Sequence, residues 1–348
     1  MMSTEFRELP IVLQKEINSF TFIAFPVCII LTQENLHPWY YENFIGIFLT
    51  DENDLMYKDC DFDFGYYKTF EVSRIRFSMV NESDDIINMI IKQLELGFYS
   101  SIMMNEFFLP ESPAYNVEYF LHDSLIYGFN RKAEYFQALR FDRKGIFNKV
   151  KYKFTDLQAA FRGVLSLLPT HYTAITFFTP KRYEKEYHFS KKRFVQKITE
   201  YLESESFRHS QYVINPLRKQ THFGLNACVQ FIMNIENEKH IDFLAYRSIH
   251  LLYEHKNGIF NRLNYISKIY VLSDCFETTK NEYEHLKNSF NQMRLNALKL
   301  YVSYNKESAN EKFVEHICDF ASKVRLLLNK EKMLLKIIIS ELNGVFIS

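Results

Sequence analysis

Glycine is scarce in this chain of 348 residues, with nine in all. So few leave little room for loops that cradle phosphate, and neither G-x-G-x-x-G nor G-x-x-x-x-G-K-[ST] occurs. Dinucleotide-binding and P-loop chemistry therefore have no support. Net charge is absent too, since 42 Lys and Arg balance 42 Asp and Glu. That balance provides no electrostatic footprint for nucleic acid, and no nucleic-acid partner is expected. The five cysteines, Cys28, Cys60, Cys228, Cys275 and Cys318, are odd in number, widely spaced and free of any C-x-x-C pair. A disulfide framework and a cysteine zinc site are excluded on that pattern, and a reducing cytoplasm is expected. No long hydrophobic run is present. The stretch 20–31 is interrupted by Pro26 and too short to span a bilayer, and the first eight residues lack the basic character of a secretory leader. No membrane insertion is expected. The D-x-D spacing of Asp59, Asp61 and Asp63 lacks the glycine and terminal glutamate of a calcium loop.

Aromatic residues are abundant: 34 Phe and 23 Tyr within a chain that is 47% hydrophobic. A sizeable core is therefore available. The first half reads as helices first, then a meander of antiparallel strands. Pro26 suits the first turn of a helix, which would put Cys28 near the positive end of the helix dipole. Pro38 starts a second helix, on which Trp39, Phe44, Ile45 and Phe48 fall at helical spacing. Ser83, Asp84 and Asp85 cap a third, with Ile86, Ile87, Ile90, Ile91, Leu94 and Leu96 on its core face and Gly97 at its end. Strands are expected at 74–77, 98–105 and 149–154. Between them lies a β-hairpin, with Leu121 to Asn130 as one strand, a polar turn at 130–133, and a return strand ending at Phe141 and Asp142. A short helix follows at 157–165. From residue 170 the texture is helical, at 190–203, 224–235, 242–272, 279–304 and 309–342. The last three are long and amphipathic, suiting a bundle or a homodimer paired through the C-terminal helices. The fold class is α+β, with N-terminal helices on an antiparallel sheet over 1–170 and an all-α region over 171–348.

The hairpin carries the chemistry. His122 opens one strand and Asp142 ends the next, so the pair suits a base and its orienting carboxylate. Asp123 points to the other side of the strand from His122. In this segment His122-Asp123 precedes Leu125-Ile126-Tyr127-Gly128-Phe129, and Phe141-Asp142-Arg143-Lys144-Gly145 follows. It resembles the butirosin biosynthesis protein H-like family. Gly224-Leu225-Asn226 and His250 to Lys256 resemble a companion region of such proteins. The resemblance implies a papain-like fold, akin to the peptidase domains of bacteriocin exporters, in bacterial antibiotic gene clusters. It also implies acyl transfer from an acyl carrier protein to an aminoglycoside amine through a cysteine thioester, with Cys28 as nucleophile, His122 as base and Asp142 as orienter.

Two functions stay open. Cys28 can attack a thioester or peptide carbonyl, or it can be a buried apolar residue in an inactive protein that binds a peptide or carrier protein. Trp39 and Tyr40 are either the aromatic wall of a substrate site, with Asp123, or core. His250 and Glu254 share a helix face but lack the H-E-x-x-H arrangement, so neither metal nor cofactor is expected.

Overall fold

The computed structural model describes residues 4–58, 69–81, 85–165, 167–181, 187–204, 220–304 and 311–344. In chain order the elements are β1 Phe6–Glu8, α1 Thr21–Ile30, α2 His37–Glu42, β2 Ile47–Thr50, β3 Leu55–Tyr57, β4 Phe70–Arg76 and α3 Ile86–Glu95. Next come β5 Tyr99–Asn105, β6 Leu121–Asn130, β7 Tyr135–Phe141, β8 Phe147–Lys153, α4 Phe154–Leu165 and β9 Thr173–Pro180. The rest are α5 Lys191–Glu203, β10 Gln220–Phe223, α6 Gly224–Glu238, α7 Phe243–Ile269, α8 Asp274–Tyr304 and α9 Glu311–Gly344. Cys60, the Asp59–Asp63 run, Ser83, Asp84 and Arg182 lie outside the described residues.

The chain divides into two compact units, one of residues 1–34 and 62–185, the other of 35–61 and 186–348. The first holds a seven-stranded antiparallel sheet in the order β4-β9-β5-β6-β7-β8, with β1 on the free half of β6. The sheet does not close at residue 170. β9 inserts between β4 and β5, pairing Arg74 with Thr176 on one side and Thr176 with Ser101 on the other. The expected hairpin is present as β6 and β7. Helix α3 begins one residue after its cap, because the Asp85 carboxylate accepts from Asn88 N at 3.0 Å. Such a cap contributes about 1 kcal/mol. Leu96, assigned by spacing to the core face, is exposed instead, because the helix ends at Glu95 and Gly97 takes a left-handed φ of 91°.

The second unit is mainly helical but not all-α, since β10, β2 and β3 form a three-stranded sheet within it. Helical spacing over 39–48 fails at Phe44. That residue has a φ of 59°, α2 stops at Glu42, and the chain turns into β2. β3 is tied to α7 by Asp54, which accepts from Arg247 at 2.6 Å and from Ser248 at 3.0 Å. The core of this unit contains a point where five helices each present a polar group. Lys256 Nζ of α7 lies 2.8 Å from Glu331 of α9. Tyr201 of α5 and Tyr283 of α8 donate to the same carboxylate at 3.0 and 2.9 Å. Cys228 of α6 sits 3.9 Å from the Tyr201 hydroxyl. All these groups are buried, and the carboxylate oxygens are satisfied, which is what makes burying them tolerable.

Candidate functional site

The sheet's two faces decide which side chains can meet. Leu125 pairs with Leu139 and Leu139 with Lys149, so these three share a face with Ser101, the partner of Leu125. Ile126, Ala138 and Val150 form the corresponding row on the other face. Alternation then puts Asp123 with the first row, and His122, Ser124 and Arg140 with the second.

Helix α1 covers the first face. Thr21 Oγ1 in its opening turn donates to Asp123 Oδ1 at 2.6 Å, and the Phe25 ring packs on Phe147 at 6.1 Å. Pro26 is inside the helix rather than at its start, and Cys28 falls in the last turn, away from the positive end. Its thiol is 0% exposed. Burial pushes that thiol up to about 12, outweighing Gln14 hydrogen bonds and the charge of Lys149. The first-turn position expected for Cys28 is thus held by Thr21, whose hydroxyl is committed to Asp123. Asp123 has a structural partner in α1 and, at a longer 3.4 Å, a second in Ser101.

His122 lies on the opposite face from Cys28. Its Nδ1 is 3.2 Å from Glu106 Oε1, and a quarter of its side chain is exposed. Glu106 is itself held by Ser112 and by Arg140, whose Nη2 stands 2.5 Å away without hydrogen-bond alignment. Burial raises the Glu106 carboxyl, but the His122 hydrogen bond and the Arg140 charge outweigh it and leave it below the usual carboxylate value. Arg140 also donates to the Tyr152 hydroxyl at 3.1 Å, which contacts Ser124 at 3.0 Å. Asp142 does not orient His122. Its Oδ1 accepts from Lys144 N at 2.9 Å and Ile146 N at 3.1 Å, closing the β7–β8 turn. The structure therefore joins His122 to Glu106 by a hydrogen bond, places it on the face opposite Cys28, and commits the Asp142 carboxylate to the β7–β8 turn. Glu106 escapes sequence reasoning because it follows β5, sixteen residues from His122. The one available signal is Arg140, the only charged residue of β7.

Trp39 and Tyr40 belong to the other unit. Tyr40 is buried beneath the Arg262 guanidinium, 5.2 Å from its ring, and Trp39 packs edge-on against Phe44 at 6.0 Å. Tyr40 is a packing residue there, and Trp39 is half-buried. His250 and Glu254 do meet, at 3.1 Å, but among the described residues no three His, Cys, Asp or Glu side chains converge as a metal site. No helix among them is long and apolar enough to cross a membrane.

The sheet face beneath α1 also holds a shallow, half-open depression with room for about one water molecule. Phe25 and Pro26 of α1 form one wall, and Phe70, Val72, Arg74, Ser101, Thr176 and Phe178 supply the strand side. No protein-family model matches the chain, and no curated protein matches it.

Proposed function

We propose that the first unit is a papain-like scaffold that binds rather than cleaves. In this reading the protein is a cytoplasmic accessory factor of bacterial specialised-metabolite biosynthesis. It binds a peptide or a carrier protein. The observation that carries the reading is the setting of Cys28. A thiol attacks as its thiolate. A group near 12 is ionised at neutral pH to about one part in 10⁵. The base that would take its proton lies across the sheet. The hairpin resemblance supports the scaffold and the biosynthetic setting.

Alkylation tests it. The native protein is treated with iodoacetamide at neutral pH and each cysteine is followed by peptide mapping, with exposed Cys275 as the reactive standard. Cys28 labels far more slowly than Cys275, and His122→Ala leaves its rate unchanged. Fast labelling of Cys28 that disappears in His122→Ala would restore the acyltransferase or peptidase reading.

A further inference from the structure

Helix α9 buries one side and leaves the other open. It packs on α5, α6 and α8 of its own unit, with Val324, Leu328, Leu335 and Ile338 buried. On its outer side Leu326 is 66% exposed, Met333 67% and Ile337 40%. Steps of seven and four residues put these three in one row along the helix, and Lys330 falls in the same row. Lys336 flanks the row, with Lys332 one turn behind it. All three lysines are exposed, and none has a hydrogen-bond or ion-pair partner among the described residues. Between Asp319 and Glu341 the only carboxylate of α9 is Glu331, which is buried against Lys256. Three carboxylates on neighbouring helices are already engaged: Glu236 by Arg325, Glu277 by Lys280 and Glu284 by Lys287.

The open side is thus a narrow apolar seam with positive charge in it and beside it. A seam one residue wide is the geometry that receives a single helix. A helix lying in a lipid surface uses a broader apolar face. A second copy of α9 would set lysine against lysine in either direction, because the segment offers no exposed acid to answer them. We propose that this face of α9 docks an acidic amphipathic helix of a partner protein. Its apolar row meets Leu326, Met333 and Ile337, and its carboxylates meet Lys330 and Lys336. The proposal rests on the binding reading above and names the chemistry of the segment that is bound.

Fluorescence anisotropy of labelled synthetic helices, each of about three heptads, tests it on the full chain. One helix carries leucine at positions a and d and glutamate at e and g. A second carries lysine at e and g, and a third is a scramble of the first. The acidic helix binds at least about tenfold more tightly than the other two, and added salt weakens it. Lys330→Glu combined with Lys336→Glu inverts the preference towards the lysine helix. Met333→Ser weakens the acidic helix. These side chains are exposed, so their replacement spares the fold, and unfolding curves of each variant check this. Equal binding of the acidic helix and its scramble, a preference that survives the double reversal, or no binding overturns the proposal. Met333-dependent binding to phosphatidylserine vesicles, or a Met333-dependent dimer in sedimentation, in place of helix binding also overturns it, in favour of a membrane or a second copy. Slow Cys28 labelling combined with such a result removes the α9 docking face alone. Fast, His122-dependent labelling removes the binding reading, whatever the helices show.

Discussion

Glu331 of α9 holds Lys256 of α7 at 2.8 Å, and neither side chain is exposed. Two tyrosines depend on the same carboxylate, Tyr201 from α5 and Tyr283 from α8. Breaking one partner of such a pair strands the other charge in the core. Lys256→Met or Glu331→Leu alone is expected to cost about 3–5 kcal/mol, while the double substitution recovers most of it. Urea unfolding followed by helical circular dichroism measures both. Additive losses in the double variant would show that the two side chains act independently.

His255 adds a pH dependence to the same core. Its Nε2 lies 2.8 Å from the Ile45 carbonyl and its Nδ1 lies 3.1 Å from Lys256 Nζ. Lysine only donates here, so Nδ1 accepts and Nε2–H donates to Ile45, which is the neutral ring. Burial, then the charge of Lys256, hold its pKa well below 6.5 against the opposing Ile45 hydrogen bond, with a smaller contribution from Arg262. The unfolded imidazole protonates near 6.5 and the folded one does not. Between those values the unfolded chain carries more protons, so stability is complete above 6.5 and falls as pH drops below it. The slope approaches about 1.4 kcal/mol per pH unit. Urea midpoints measured at pH 7.5 and 5.5 give this slope, and His255→Gln flattens it. An unchanged slope in that variant would assign the acid sensitivity elsewhere.

Gly224 opens α6 with a φ of 56°, and a Cβ there would stand 2.2 Å from the Tyr201 carbonyl oxygen. Gly145, at 70° in the β7–β8 turn, would meet nothing within 4 Å. Gly145→Ala therefore carries only the left-handed penalty of about 1–2 kcal/mol. Gly224→Ala adds a backbone clash and is expected to cost more than about 3 kcal/mol. Thermal melts of the two variants rank them. Equal losses would mean that the α5–α6 approach yields freely.

The partner of His122 is readable by nitrogen NMR of its ring. Glu106→Gln shifts both ring nitrogens, since it replaces the carboxylate at Nδ1. Asp142→Ala leaves them in place and instead loosens the β7–β8 turn by about 1 kcal/mol. A ring response to Asp142→Ala, with none to Glu106→Gln, would reinstate the hairpin carboxylate as the orienting group.

Local order was largely legible. The hairpin at β6 and β7, the cap at Asp85 and the long C-terminal helices all follow from patterns spanning a few residues. Pro26 misled because proline at a helix start is common, whereas here it sits within α1. β2, β9 and β10 were hidden for another reason. Each is short or strongly apolar and gains its place from a strand far away in sequence, as β9 does between β4 and β5.

Alternation along β6 is a property of the sequence, and it alone put His122 and Asp123 on opposite faces of whatever sheet formed. Tertiary structure decided what each face would meet. Packing laid α1 on the Asp123 side, carrying Cys28 into an apolar layer and Thr21 onto the carboxylate. Strand pairing brought Glu106 from the end of β5 to His122, and left Asp142 to close a turn. The row of Arg74, Thr176 and Ser101 likewise exists only through the register of three strands. A sequence pattern specifies direction within one element, because its period is set by covalent geometry. Proximity between elements is set by register and packing, which depend on the whole chain.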